Sequence, residues 1–269
     1  ILPSKIDITI ITSNKKKKLE KLKKKKFSKV LIKKYIFISS KNKKKIQEQD
    51  IIINCTGNHN IKNNKKIILL NYKFPKKLFD LSLNQSKKKF ININTLLKNR
   101  KSIYVKYKHK LSDYFRKNTG NTSVIDLHVS RLYGDIRNKK GFIENIIIKI
   151  LKNRKILKFT KGQQKRDFLH IKDFKKLFLK ILKFEPNKKY HKFEIGSYKS
   201  YSIRSVIILI KKITNSNINI SFGYFDYKKG EEFSMRCNIK SLKNINWVPK
   251  ISLKSGIKLL LKDFSKNTI

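Results

Sequence analysis

Isoleucine-rich runs separated by lysine clusters give the chain its rhythm. Short apolar runs rich in β-branched residues recur at Ile6–Ser13, Tyr35–Ser40, Asp50–Cys55, Phe90–Thr95, Val124–Val129 and Ile156–Phe159, and each reads as a strand. The continuous isoleucines after Asp50 predict a parallel strand buried on both faces. Helices are predicted between and beyond these strands. Pro75 opens one over Lys76–Asn84, another covers the run SIYVKYKHKLSDYF, and a third covers Phe142–Lys152. Asp173 is the expected cap of a helix reaching Lys183, Ser202 of one reaching Ile213, and the last helix is expected over Ser255–Phe264. Strands alternating with helices predict βαβ units, a parallel sheet and the α/β class. No internal repeat interrupts this order, and the texture becomes less regular beyond Gly134.

Length and composition bound the picture. The 269 residues suffice for one large α/β domain, or a domain with a small lobe. No apolar run approaches the roughly 18 residues that cross a bilayer, so no membrane partner is expected. The opening ILPSKIDITIITS is broken by Lys5 and Asp7 and shows no small-residue cleavage site, so it does not read as a secretory signal. Cys55 and Cys237 form no CxxC, which argues against a zinc site and for a reducing, cytoplasmic setting. The formal net charge of +51 points at first to a polyanion. However, alanine is absent, arginine is rare beside lysine, and lysine, asparagine and isoleucine dominate, the pattern of A/T-rich codons. Lysine runs such as Lys15–Lys18 and Lys23–Lys26 then read as solvated surface, and a specific nucleic-acid partner is not expected.

The candidate chemistry begins at Tyr104 and Lys108. Four residues apart on a predicted helix, they share one face. Thr95 closes the predicted strand just upstream. A hydroxyl, a phenol and an ammonium so placed can move a proton at an alcohol or sugar carbon, with the cation expected to draw the phenol's pKa down. The bland alternative is a surface helix with a solvated lysine. The order of the downstream segments adds weight: SVIDLHVSRLYG, KFTKGQQKRDFLHIKDF, KFEIGSYKSYSIRSV and NINWVPKISLKSGI. With Thr95, Tyr104, Lys108, Tyr133, Gly134, Thr160, Gly162, Gln164, Arg166, Asp167 and Phe168 in this sequence, the chain from Asp50 onward resembles the extended short-chain dehydrogenase/reductases. Within them it is similar to the NAD-dependent epimerase/dehydratases of nucleotide sugars, in the branch of 4-ketoreductases and epimerases that includes the CDP-abequose and CDP-paratose synthases.

That resemblance implies a Rossmann-type, doubly wound parallel sheet over residues 1–133 and a smaller, mainly substrate-binding C-terminal lobe over 134–269, with some segments returning to the first domain. It implies NAD or NADP as cofactor and a nucleotide-diphosphate sugar as substrate. Tyr104 would be the general acid/base, Lys108 would hold the nicotinamide ribose, and Thr95 would bond the reacting oxygen. Cys55, Thr56, Gly57, Asn71 and Ser130 would line the cofactor; ordinary strand-end packing is the alternative for each. Arg166 would grip the diphosphate, or else pair with Asp167 or Asp173. Arg131, Lys228 and Glu231 would contact the substrate, with Lys228 standing where relatives place arginine. Tyr107 departs from the usual serine. Ser13, Asn14 and Lys15 fall where a 2′-phosphate is sensed. The acidic pair that marks dehydratases is missing at Thr95-Leu96-Leu97. Trp247 reads as core, and of the five histidines only His128 lies beside the expected site.

None of the nine glycines forms the family's G-x-x-G-x-x-G turn. The expectation is therefore a fold lacking its first βα unit, through fragmentation or gene decay, with weak NAD(P) binding as given. A noncatalytic descendant and a basic nucleic-acid binder are the rival readings. The resemblance also leaves a homodimer open.

Overall fold

The computed structural model of the chain describes residues 8–12, 32–37, 43–57, 63–83, 88–99, 101–152 and 156–266. The expectations at Ser13, Asn14, Lys15 and His59, and in the lysine-rich segment through Lys26, lie outside the described residues. Two strands come first, β1 (Ile8–Thr12) and β2 (Ile32–Phe37), paired in parallel. Then come α1 (Lys43–Gln47), β3 (Ile51–Asn54) and a helical stretch made of α2 (Asn64–Ile68), one π-helical turn (Leu69–Lys73) and α3 (Phe74–Ser82). Next are β4 (Lys88–Thr95), α4 (Ile103–Lys117), β5 (Thr122–Val129) and β6 (Arg131–Tyr133). The rest comprises α5 (Phe142–Leu151), β7 (Ile156–Phe159), β8 (Lys165–His170), α6 (Ile171–Lys183), β9 (Tyr190–Ile195), β10 (Ser200–Ser202), α7 (Ile203–Ile213), β11 (Asn219–Phe222), a 3-10 turn (Ile239–Ile245) and α8 (Leu253–Lys266).

The α/β class and the parallel sheet expected from the sequence are present. One sheet runs β3-β4-β5-β9, with β3 and β4 parallel in the register Ile51 to Lys89 through Asn54 to Asn92. Two compact units divide the chain: residues 1–93, 107–126 and 186–191, and residues 94–106, 127–185 and 192–269. The chain therefore enters each unit three times.

In the first unit, Ile52, Phe79, Phe90, Leu111, Phe115 and Val124 form the core. Phe79 meets Phe90 at 5.0 Å and Phe115 at 4.7 Å, edge to face. Each such ring contributes roughly 1.5–3 kcal/mol through burial. The expectation that the Ile51–Asn54 strand is covered on both faces needs correction. Ile52 and Asn54 are buried, whereas Ile53, on the opposite face, is 40% exposed.

In the second unit, β8 pairs parallel with β6 and antiparallel with β10, and β11 pairs parallel with β7. Three helices supply its core at helical spacing: Ile143, Ile146 and Ile147 from α5, Val206, Ile207 and Ile210 from α7, and Leu253, Ile257 and Leu260 from α8. Gly134 ends β6 with φ of +100°, and a Cβ there would lie 2.5 Å from His170 Nε2, so no other residue fits the turn. Trp247 is buried and meets Tyr198 edge to face, in keeping with a packing role.

Three further boundaries differ from expectation. The second strand starts at Ile32, before the predicted Tyr35, and its predicted last residues, Ile38 to Ser40, lie outside the described residues. The Pro75 helix is preceded by ten helical residues that sequence reading missed. Asp173 does not cap α6: His170 does, its Nδ1 accepting from Lys172 N at 3.2 Å. Asp173 instead accepts from the backbone N–H groups of Lys250 (3.0 Å) and Ile251 (2.7 Å). Ser202 caps α7 as expected, accepting from Ser205 N at 3.0 Å.

Candidate active site

Cys55-Thr56-Gly57 follows the end of β3, and α4 carries Lys108 to this place within the first unit. Lys108 is buried, and its Nζ donates to the carbonyls of Thr56 (2.8 Å) and Ile93 (2.9 Å). Burial lowers its pKa to about 8, opposed in part by the negative charge of Asp126 and by Cys55. Gly57 packs closely against the ammonium: a Cβ there would sit 3.2 Å from Lys108 Nζ and 3.2 Å from Asn71 Oδ1. Asn71 is fully buried, its Nδ2 donating to Ile67 O at 2.8 Å. Surrounding protein raises the Cys55 thiol's pKa, and Lys108 partly offsets this. Five of the expected cofactor contacts, Cys55, Thr56, Gly57, Asn71 and Lys108, are thus brought together.

Thr95 and Tyr104 belong to the second unit. The Tyr104 phenol is hydrogen-bonded to Thr95. Thr95 is fixed in turn: its N–H donates to Asn94 Oδ1 at 2.8 Å, and its Oγ1 accepts from Leu97 N at 3.3 Å. The expected depression of the phenol's pKa does not occur. Burial pushes it up, and the Thr95 bond opposes this only in part. Ser130 is buried between β5 and β6, its N–H donating to Ile195 O at 2.8 Å.

Arg166 on β8 is 2% exposed. It pairs neither with Asp167 nor with Asp173, the partners anticipated from sequence. Its guanidinium donates to Glu231 and to the carbonyls of Lys165 and Glu232. Burial lowers its pKa, with Glu231 and Glu232 opposing. Arg131 keeps solvent contact, yet the protein packed around its guanidinium, and then the Arg166 charge, lower its pKa. Arg131, Arg166 and Glu231 are therefore neighbours. Lys228 stands apart with an exposed side chain, and its carbonyl accepts from Glu231 N at 2.9 Å.

Two features escaped the sequence reading. Glu232 accepts from Lys98 N (3.0 Å) and Asn99 N (3.2 Å), while Asn99 Nδ2 donates to Gly230 O, so the segment after Thr95 is clasped to the 230–232 turn. Only the doubled acid in KKGEEF hinted at this. Asp167, part of the expected motif, is structural: it accepts from Ser197 N (2.6 Å), Tyr198 N (3.0 Å) and Cys237 Sγ (3.1 Å). Among the described residues no cluster of three or more His, Cys, Asp or Glu could hold a metal ion, and no helix is long and apolar enough to cross a membrane.

A sequence profile of the NAD dependent epimerase/dehydratase family matches residues 2–196. The chain is 32% identical over 152 residues to the CDP-abequose synthase of Salmonella muenchen, covering 56% of this chain and 52% of that protein, so it spans about half of that relative. Its fold is similar to that of the UDP-glucose 4-epimerase of Thermotoga maritima, solved with UDP-glucose, at a TM-score of 0.75 and 16% identity over 98% of this chain and 100% of that one. It is also similar to the UDP-glucuronic acid 4-epimerase of Bacillus cereus, solved with UDP-glucuronic acid and NAD, at a TM-score of 0.74 and 19% identity over 92% and 85%.

Proposed function

The chain belongs to the NAD dependent epimerase/dehydratase family, and from that membership we propose that it is an NAD(P)-dependent nucleotide-sugar 4-ketoreductase or epimerase. The observation that carries this reading is the arrangement on α4. A phenol is hydrogen-bonded to a strand-end threonine, and one turn later a buried ammonium is pinned beside a glycine. Gly57 lets the backbone pass close to Lys108 and Asn71, since a Cβ there would meet both at 3.2 Å.

A bound NAD or NADP would supply or take up the hydride. Cys55, Thr56, Gly57, Asn71 and Ser130 would line it, and Lys108 would hold it by the nicotinamide ribose. Tyr104 gives or takes the proton at the sugar oxygen, and Thr95 aims the phenol. With its pKa raised, Tyr104 keeps its proton at neutral pH, which suits the general acid of ketone reduction. The absence of an acid at Leu96 and Leu97 argues against dehydration. Arg166 would grip the diphosphate, and Arg131, Lys228 and Glu231 would contact other parts of the substrate. The CDP-abequose synthase likeness makes cytidine diphosphate sugars the first to try. A cytoplasmic location and a homodimer belong to the same reading.

Replacing Tyr104 by Phe tests it. NAD(P)H-linked turnover of a nucleotide 4-keto sugar should fall by about 100-fold or more, while the sugar nucleotide binds as before. Turnover equal to the parent's rules out Tyr104 as the acid/base.

A further inference from the structure

A polar ladder runs through the core of the first unit, where apolar side chains would otherwise be expected. Asp126 is fully buried on β5 and accepts hydrogen bonds from Asn92 Nδ2 at 2.7 Å, Tyr190 Oη at 2.9 Å and the Ser112 hydroxyl. Asn92 Oδ1 accepts from Asn54 Nδ2 at 2.6 Å. Asn54 Oδ1 accepts from both Thr56 Oγ1 (2.6 Å) and Thr56 N (3.1 Å). The Thr56 carbonyl then accepts from Lys108 Nζ. Asn54, Asn92 and Asp126 are each at most 1% exposed.

The direction of this ladder is dictated from one end. A carboxylate only accepts, so Asn92 must turn its amide nitrogen to Asp126 and its oxygen to Asn54. That obliges Asn54 to present its oxygen to Thr56, whose hydroxyl must then donate inward. A buried, fully partnered network of this kind fixes one arrangement, since any reversed amide leaves an unsatisfied group in the core. We propose that Asp126 is a positioning residue for Lys108, acting through Asn92, Asn54 and Thr56 to hold the strand end to which the ammonium is bound. The inference rests on the reading of Lys108 as a cofactor-side residue, and it adds a group that touches neither cofactor nor substrate. Asp126 has a second route to Lys108 through space, as the nearby negative charge that favours the ammonium. The Cys55 thiol also acts on Lys108, and Tyr104 lies one turn earlier on the same helix.

The test follows the Lys108 ammonium itself. A buried, hydrogen-bonded ammonium gives a slowly exchanging proton–nitrogen resonance, assigned here by its disappearance in Lys108→Met. In Asp126→Asn that resonance should titrate at lower pH than in the parent, and turnover should fall by as much as ~100-fold through misplacement. An Asp126→Asn protein that folds, titrates and turns over as the parent does overturns the proposal. Should Asp126→Asn fail to fold, Thr56→Val breaks the ladder at its partly exposed end. It should lower turnover, with Thr56→Ser restoring it, and in a folded double variant its effect should not add to that of Asp126→Asn. Full turnover in Thr56→Val overturns the proposal equally. Lys108→Met separates the two levels: if it keeps full turnover, the cofactor-side reading fails, while the titration still decides whether Asp126 governs the ammonium.

Discussion

At the scale of single residues, Lys108 has a measurable signature that needs no ligand. Its pKa falls from the ordinary 10.5 to about 8 because the folded protein buries the charge. Below about pH 8 both folded and unfolded chains hold the proton, and the folded one bears the cost. Between about 8 and 10.5 the unfolded chain keeps the proton and the folded chain does not, so stability rises with pH through that window. The contribution is on the order of 3 kcal/mol. Denaturant midpoints measured from neutral pH to pH 10.5 should therefore climb more steeply in the parent than in Lys108→Met; parallel slopes would refute the shift. The strand-end place of Thr95 and the helical places of Tyr104 and Lys108 were legible in the sequence because strand end and helix spacing are local facts. Their electrostatics were not, because two backbone carbonyls that absorb the ammonium come from Thr56 and Ile93, remote in sequence from Lys108. The same holds for Arg166, whose acidic partner stands 65 residues away.

Elements were readable where their signals are local. Ile156–Phe159 is a strand as predicted, and Ser202 opens α7. Ser202→Ala should cost about 1 kcal/mol, read as a lowered unfolding midpoint, with Ser202→Asp close to the parent. A cost equal for both substitutions would deny the cap. Where long-range bonds intervene, local reasoning misleads. Asp173 has the right type and place for a cap, yet it serves two N–H groups 77 and 78 residues on. The missed helix over Asn64–Lys73 holds four consecutive apolar residues, Ile67 to Leu70, a run that carries no helical period of its own.

For the whole molecule, the charge of +51 makes adhesion to polyanions inevitable in dilute buffer. We expect retention on RNA or heparin that is lost between about 50 and 200 mM salt and is indifferent to sequence. Binding that survives physiological salt and prefers one sequence would revive the nucleic-acid reading. Composition alone could not separate a functional charge from a codon bias. Arg166 does so better, because it is buried and ion-paired with Glu231.

Arg166 is a filled fork. Any diphosphate that came to use it would contend with Glu231, a competitor carried on the same chain and held at a high effective concentration. A doubly charged ligand group can win that exchange, whereas a neutral sugar or a lone carboxylate gains nothing by it. Selectivity for strongly anionic ligands would then come from an internal rival.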